Sequence, residues 1–215
     1  MHPQAPSPLT EIVLRRRMVR RYDPDRRPDR PTVDRLLDLA RRAPSAGASQ
    51  GWHFLVLDDA RDHDDFWAAT ADAGPADAWL AGMRTAPVLV LVFSDRAAYE
   101  RRYRQDDKRP AVRLEDRWPV PYWHVDAGMA ALLILLGAVD EGLGACFFGV
   151  PPDRVDAVRH RFGVPDRLVP VGVVSLGYAP PDGAYGARGG RTVGRPSRLR
   201  PRGDVVSYGR FGATD

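Results

Sequence analysis

Apolar positions along this chain follow two periods, and the alternation between them outlines the fold. Leu9, Ile12 and Val13 recur at helical spacing within residues 9–19, with Thr10 placed to start the turn. The proline-rich stretch from Pro24 to Pro31 is loop. Thr32 is then expected to cap a helix from Val33 to Ala43, with Leu36, Leu37, Leu39 and Ala40 on its inner side. His53 to Leu57 and Pro87 to Phe93 are unbroken apolar runs of strand length, which predicts buried strands. Helices are expected over Ala60–Ala73 and Ala78–Met83. Ala145–Phe148 and Leu168–Leu176 read as two further strands, with a helix opening at Pro151-Pro152-Asp153 and running to Phe162 between them. Helices alternating with short buried strands indicate an α+β or α/β sandwich.

The strongest apolar segment is a helix from His124 to Glu141, stopped at Gly142. From Ala127 to Val139 it is apolar on almost every side, so it is expected to be buried all round, as a central or subunit-interface helix. No apolar run reaches the ~18 residues needed to cross a bilayer, so no membrane role is expected. Residues 1–8 read as a loose arm without the order of a signal peptide. Residues 9–215 read as one domain. It carries a variable insertion at about 94–122, rich in arginines and aromatics, and a Gly-, Pro- and Arg-rich C-terminal extension at about 178–215.

Composition narrows the chemistry. The 215 residues hold 32 basic and 28 acidic side chains, and Lys108 is the single lysine. Acids are interspersed with the bases and no aromatic–basic ladder occurs, which argues against nucleic acid as a partner. One cysteine, Cys146, excludes an intrachain disulfide and suits a reducing, cytoplasmic location. Placed between Ala145 and Phe147, it reads as a buried apolar cysteine rather than a nucleophile served by His124 or His160. His124 and Asp126 lack a third metal ligand, so no metal site is expected. Gly142-Leu143-Gly144 follows a helix and misses a third glycine, so it is not a dinucleotide fingerprint.

Two arginine clusters and one small-residue loop remain. Arg15-Arg16-Arg17 with Arg20-Arg21 lies near one end, and Arg198 with Arg200 near the other. Arginine binds phosphate through two parallel hydrogen bonds. Between the clusters, Ala43-Pro44-Ser45-Ala46-Gly47-Ala48-Ser49-Gln50-Gly51-Trp52-His53-Phe54 places small residues where a helix gives way to a strand. Small residues let backbone approach a ligand closely. The set suits a flat ligand with a phosphate tail.

Taken together and in this order, the segments resemble the FMN-dependent nitroreductase family, over roughly residues 9–55, 85–93 and 123–211. The family's Arg-x-Ser-x-Arg/Lys-aromatic opening is similar to Arg16-Arg17-Met18-Val19-Arg20-Arg21-Tyr22. Its Pro-Ser-x-x-Asn-x-Gln-Pro-Trp-x-Phe stretch is similar to Pro44 through Phe54. Its Asp-x-Gly helix resembles Asp126-Ala127-Gly128 onward, its Gly-Leu-Gly strand resembles Gly142 to Gly149, and its closing basic pair resembles Arg198-Leu199-Arg200. Three departures stand out: Met18 in place of serine, Ala48 in place of asparagine, and Gly51 in place of proline.

The resemblance implies an α+β, nitroreductase-like sandwich: a mixed sheet flanked by helices, in an intertwined homodimer with FMN at the interface. It implies two-electron transfer from NAD(P)H to a nitro, quinone or enone acceptor by a ping-pong route. The cofactor-binding residues it implies are Arg16, Arg17, Met18, Arg20, Pro44, Ser45, Ala46, Ala48, Gln50, Phe147, Phe148, Gly149, Arg198 and Arg200. Phe147 and Phe148 are expected to flank one side of the flavin ring. Tyr103, Trp118, Tyr122 and Trp123, in and beside the insertion, are expected to meet the small-molecule acceptor. The chemistry resides in the cofactor, so no acid–base dyad is required. Alternatives are a flavin-binding protein without turnover and a deazaflavin-linked, oxidase or flavin-fragmenting enzyme of a specialised pathway.

Overall fold

A computed structural model describes residues 6–72, 74–108, 120–181, 183 and 199–211. Helices α1 (Pro8–Arg15) and α2 (Arg30–Ala40) precede strand β1 (Trp52–Leu57). Helices α3 (Ala60–Thr70) and α4 (Ala78–Met83) lead to β2 (Val88–Asp95), followed directly by α5 (Arg96–Tyr103). The long α6 (Tyr122–Asp140) precedes β3 (Gly144–Phe148), and α7 (Val155–Phe162) precedes β4 (Leu168–Gly177). Side chains set the helix starts. The Ser7 hydroxyl accepts from Thr10 N–H, and Asp29 accepts from Thr32 N–H, so the cap of α2 is Asp29 and not Thr32. Pro31 sits in the first turn of that helix, where no N–H is needed.

The strands form one sheet in the order β1-β2-β4-β3, each neighbour antiparallel. An isolated parallel bridge joins Met18 to Ala145 beyond β3, while among the described residues the sheet itself is antiparallel where a mixed sheet was expected. All eight residues of central β2 are buried, as its unbroken apolar run requires. β1 is an edge strand and only Leu57 in it is buried, so the expectation of a buried first strand fails. An apolar run records what one face packs against, not how many neighbours the strand has.

Alternation along β2 splits the core in two. Val88, Val90 and Val92 join Val174 and Leu176 under α2 and α6. Leu89, Leu91 and Phe93 join Val173 under α3 and α7. Burying each such side chain stabilises the fold by about 1.5–3 kcal/mol.

Helix α6 is long and apolar enough to match a membrane span, yet it packs on the sheet. Ala127, Ala130, Ala131, Ile134, Leu135 and Ala138 are buried. The expectation of burial all round is not met within one chain. Val125 and Leu132 remain 45% and 47% exposed, and Leu9, Val13 and Leu14 of neighbouring α1 are exposed as well.

Candidate functional site

The loop between α2 and β1 is held in an unusual backbone conformation. Gly47, Ala48 and Gln50 have φ of 62°, 56° and 49°. Left-handed φ is routine for glycine but costs other L-residues, and such residues persist only where the surroundings impose them. Here the restraints are visible. Ala46 N–H donates to Asp126 Oδ2 at 2.8 Å, Gln50 N–H to Ser45 Oγ at 3.0 Å, and Ser49 Oγ–H to Ala46 O at 2.6 Å. Arg102 Nε–H of α5 donates to Gly47 O at 2.8 Å. Pro44, Ala48 and Gln50 stay exposed, and Ser45, Ala46 and Gly47 half-buried, so the loop presents its tip outward.

Aromatic rings back this loop. Tyr99 is buried and its hydroxyl donates to Asp126 Oδ2 at 2.7 Å. Desolvation and the neighbouring carboxylate push the phenol's pKa far up, so it stays protonated and serves as a fixed donor. Gly51 lies against that ring: a Cβ there would fall 2.4 Å from Tyr99 Cε2 and 2.8 Å from Asp95 O. This close approach is why glycine stands where the resemblance has proline. Tyr103 packs on Gly47, where a Cβ would sit 2.9 Å from the phenol ring. Trp123 lies edge-on to Tyr99 with ring centres 6.2 Å apart, and Arg96 stacks over it at 5.4 Å. Tyr122, at the start of α6, is half-buried; Trp118 lies outside the described residues.

Trp123 Nε1–H donates to His124 Nε2 at 3.1 Å, and His124 Nδ1 meets Ser94 Oγ at 2.8 Å. With Nε2 accepting, the ring proton resides on Nδ1 and is donated to Ser94, whose hydroxyl points on to Val169 O at 3.4 Å. Desolvation holds the imidazole below its ordinary pKa, which fits this neutral tautomer. The loop-holding roles of Tyr99, Arg102 and Asp126 were not anticipated from sequence. The Asp-x-Gly pattern marked Asp126, but only the fold shows what it holds.

The second half of the site lies at the opposite sheet edge. Residues 16–20 run beside β3, with Val19 N–H donating to Ala145 O at 2.9 Å and Phe147 N–H meeting Met18 Sδ at 3.4 Å. Met18 therefore serves as a packing group and weak acceptor where the resemblance has a hydroxyl. Arg15, Arg16 and Arg17 have no acidic partner among the described residues, and Arg20 donates only to Met18 O at 3.3 Å. Arginines elsewhere are frequently paired, as Arg35 is with Glu141 and Arg154 with Asp72. Uncompensated guanidiniums gathered on one segment form a field suited to an anion. Cys146 is buried beside them, and desolvation pushes its thiol up, which suits a packing residue rather than a nucleophile.

Phe147 and Phe148 diverge, because successive strand residues point to opposite sheet faces. Phe147 packs on the α2/α6 core, while Phe148 stacks on Trp67 at 5.9 Å in the other core. They cannot flank the same side of one ring, which corrects that expectation. Gly149 follows, exposed, with open space where a Cβ would be. Arg200 is exposed and donates to Asp204 O at 3.0 Å within its own segment; Arg198 lies outside the described residues.

The two halves are far apart. β1 and β3 are three strand spacings from each other, roughly 14 Å. Pairing of Ser94 with Val169, and of Phe148 with Val173, offsets their near ends by about four residues, roughly 13 Å along the strands. The start of β1, where the loop enters, and Phe148 are thus about 20 Å apart within one chain, and the arginine segment lies one strand spacing further out, beyond β3.

Comparison with known proteins adds independent findings. The family model described as Nitroreductase family matches residues 13–178. A protein of Methanothermobacter thermautotrophicus named as an NADH dehydrogenase/NAD(P)H nitroreductase is 31% identical over 172 residues, covering 79% of this chain and 76% of its own. A crystal structure from Desulfovibrio desulfuricans, described as a nitroreductase in complex with FMN, superposes with a TM-score of 0.69 at 25% identity, covering 96% of this chain and 99% of that one. A shorter match, 40% identical over 83 residues, joins 32% of this chain to 39% of a 5,6-dimethylbenzimidazole synthase from Rhodospirillum rubrum.

Proposed function

The chain belongs to the nitroreductase family, and from that premise we propose that this oxidoreductase uses FMN to carry two electrons from NAD(P)H to a nitro, quinone or enone acceptor. Bound FMN supplies the hydride chemistry. The protein's part is to bind, orient and enclose. Arg16, Arg20, Arg198 and Arg200 are assigned to the phosphate or the pyrimidine edge, with Arg17 adding to the field. Backbone of Met18 and of the Phe147–Gly149 stretch supports the ring.

The observation that carries the reading is that the loop and the unpaired arginines lie at opposite sheet edges, more than about 20 Å apart. One flavin ring cannot meet both in a single chain, so the loop at Pro44–Gln50 covers the flavin held by a second copy. The exposed stripe of Val125 and Leu132 beside Leu9, Val13 and Leu14 is the face that a homodimer buries. Tyr103, Tyr122 and Trp123 then form the loop-side wall met by the acceptor. Donor and acceptor occupy the same space over the ring in turn, which makes turnover ping-pong.

The test is FMN titration of purified protein with light scattering, in wild type, Arg20→Ala, and a mixed dimer of Arg16→Ala/Arg20→Ala chains with loop-altered chains. Charge-assisted hydrogen bonds contribute roughly 1.5–3 kcal/mol, so Arg20→Ala should weaken FMN binding about tenfold or more. The mixed dimer should recover one working site. A monomer that binds FMN tightly, or an Arg20→Ala variant of unchanged affinity, refutes the assignment. The short match to the dimethylbenzimidazole synthase favours a second reading, an enzyme of a specialised pathway that acts on its own flavin. Loss of flavin absorbance under oxygen without an added acceptor would select it.

A further inference from the structure

A second feature of the fold stands outside the loop and the arginine segment. Between α3, α4 and the end of β3 lies a cavity of about 360 Å³. That volume is within the range of small-molecule sites. Its walls are aromatic. Trp67 stacks on Phe148 at an interplanar angle of 10°, Phe66 meets Trp67 edge-on at 4.9 Å, and Trp79 stands edge-on to both Phe148 (5.7 Å) and Trp67 (6.4 Å).

Rings packed on one another in this way make a rigid wall of faces and edges, against which a planar ring entering the cavity can stack. The rim is different in kind. Asp72 is paired with Arg154 at 2.9 Å, and the Asp77 carboxylate caps α4 through Leu80 N–H at 2.7 Å. Among the described residues no uncompensated cation is therefore offered at the mouth, in contrast with the arginine segment.

Two contacts tie the cavity to the candidate flavin site of the same chain. Phe148 and Gly149 line it and also belong to the stretch assigned to the ring. Helix α4, which carries Trp79, packs on the arginine segment through Gly82, where a Cβ would fall 2.3 Å from Arg20 O.

We infer that this cavity is an acceptor subsite, taking the outer ring of an uncharged, planar, polycyclic acceptor, and that Trp79 with Trp67 and Phe148 determines selection for such molecules. The inference rests on the flavin reading above for its connection to turnover. The chemistry argues against the adenosine end of the electron donor as occupant: a pyrophosphate needs free cations nearby, and the mouth supplies two carboxylates and an arginine already paired. A polycyclic quinone or nitroarene carries no such charge and loses water from both faces on entering.

The test uses Trp79→Ala, with Trp79→Phe as the conservative control, since Trp79 is half-buried and its removal spares the fully packed core. Binding of 2-methyl-1,4-naphthoquinone to FMN-loaded protein is followed by tryptophan fluorescence. The kcat/KM values for this quinone and for monocyclic 1,4-benzoquinone are compared alongside. The expected result is naphthoquinone binding weakened about tenfold in Trp79→Ala, the naphthoquinone-to-benzoquinone selectivity reduced about tenfold, both restored in Trp79→Phe, and FMN affinity and the KM for NAD(P)H unchanged.

Unchanged quinone binding and selectivity would overturn the inference. A raised KM for NAD(P)H would assign the cavity to the donor, and weakened FMN binding would assign it to the cofactor; either overturns it as well. Failure of the flavin reading is distinguishable, because protein that takes up no FMN can still be titrated with the quinone. Quenching in that protein that weakens in Trp79→Ala sustains the cavity as a planar-ring site, and absence of quenching overturns it.

Discussion

Replacing Ala48 with asparagine is expected to stabilise the protein. Ala48 holds φ at 56° on the exposed tip of the loop. A left-handed conformation costs an ordinary L-residue roughly 1–2 kcal/mol, whereas asparagine tolerates it through local hydrogen bonding of its short amide. The exposed position leaves room for the longer side chain, so about 0.5–1 kcal/mol should be recovered. For a chain of this length 1 kcal/mol moves Tm by roughly 2–4 °C, which places the expected rise for Ala48→Asn near about 2 °C. Ala48→Gly should gain less, because glycine returns roughly 0.5–1 kcal/mol through the entropy of the unfolded chain.

The paired control runs the other way. Gly47→Ala adds the left-handed penalty at φ 62° and drives a methyl to 2.9 Å from the Tyr103 ring, so its Tm should fall by about 4 °C or more. Calorimetry at fixed protein concentration reads both, since self-association contributes to apparent stability. A Tm that is unchanged or lower in Ala48→Asn, together with an unaffected Gly47→Ala, would refute the left-handed loop and with it the physical reason for asparagine at this position in the resemblance.

Two further outcomes are expected. Asp126→Ala leaves Ala46 N–H and the buried Tyr99 hydroxyl without their acceptor, at roughly 1–3 kcal/mol each, so urea denaturation should show a loss of about 2–6 kcal/mol. Asp126→Asn, which keeps an acceptor oxygen, should lose markedly less; equal losses would show that the two hydrogen bonds are not what Asp126 contributes. Stability should also fall on mild acidification. The imidazole of His124 is held below its ordinary 6.5, so the unfolded chain takes up the proton first. The stability from the neutral ring is complete above pH 6.5 and is lost as pH falls toward the lower folded value, and His124→Asn should flatten the denaturation midpoint over that window.

The sequence by itself determined the elements whose burial is one-sided or complete. The unbroken run in β2 and the helical spacing in α2 were legible because side-chain periodicity follows from backbone geometry. The arginines at 15–20 and the small residues at 43–51 were legible as chemistry, and their order along the chain carried the family resemblance. Tertiary structure decided the rest. Strand order placed β1 at an edge, and strand alternation sent Phe147 and Phe148 to opposite faces. Packing of Tyr99 under Gly51, and the carboxylate of Asp126 beneath Ala46, joined residues dozens of positions apart. Such contacts have no period to betray them. The separation of the loop from the arginines likewise depends on which strands lie between them, and no local pattern records that count.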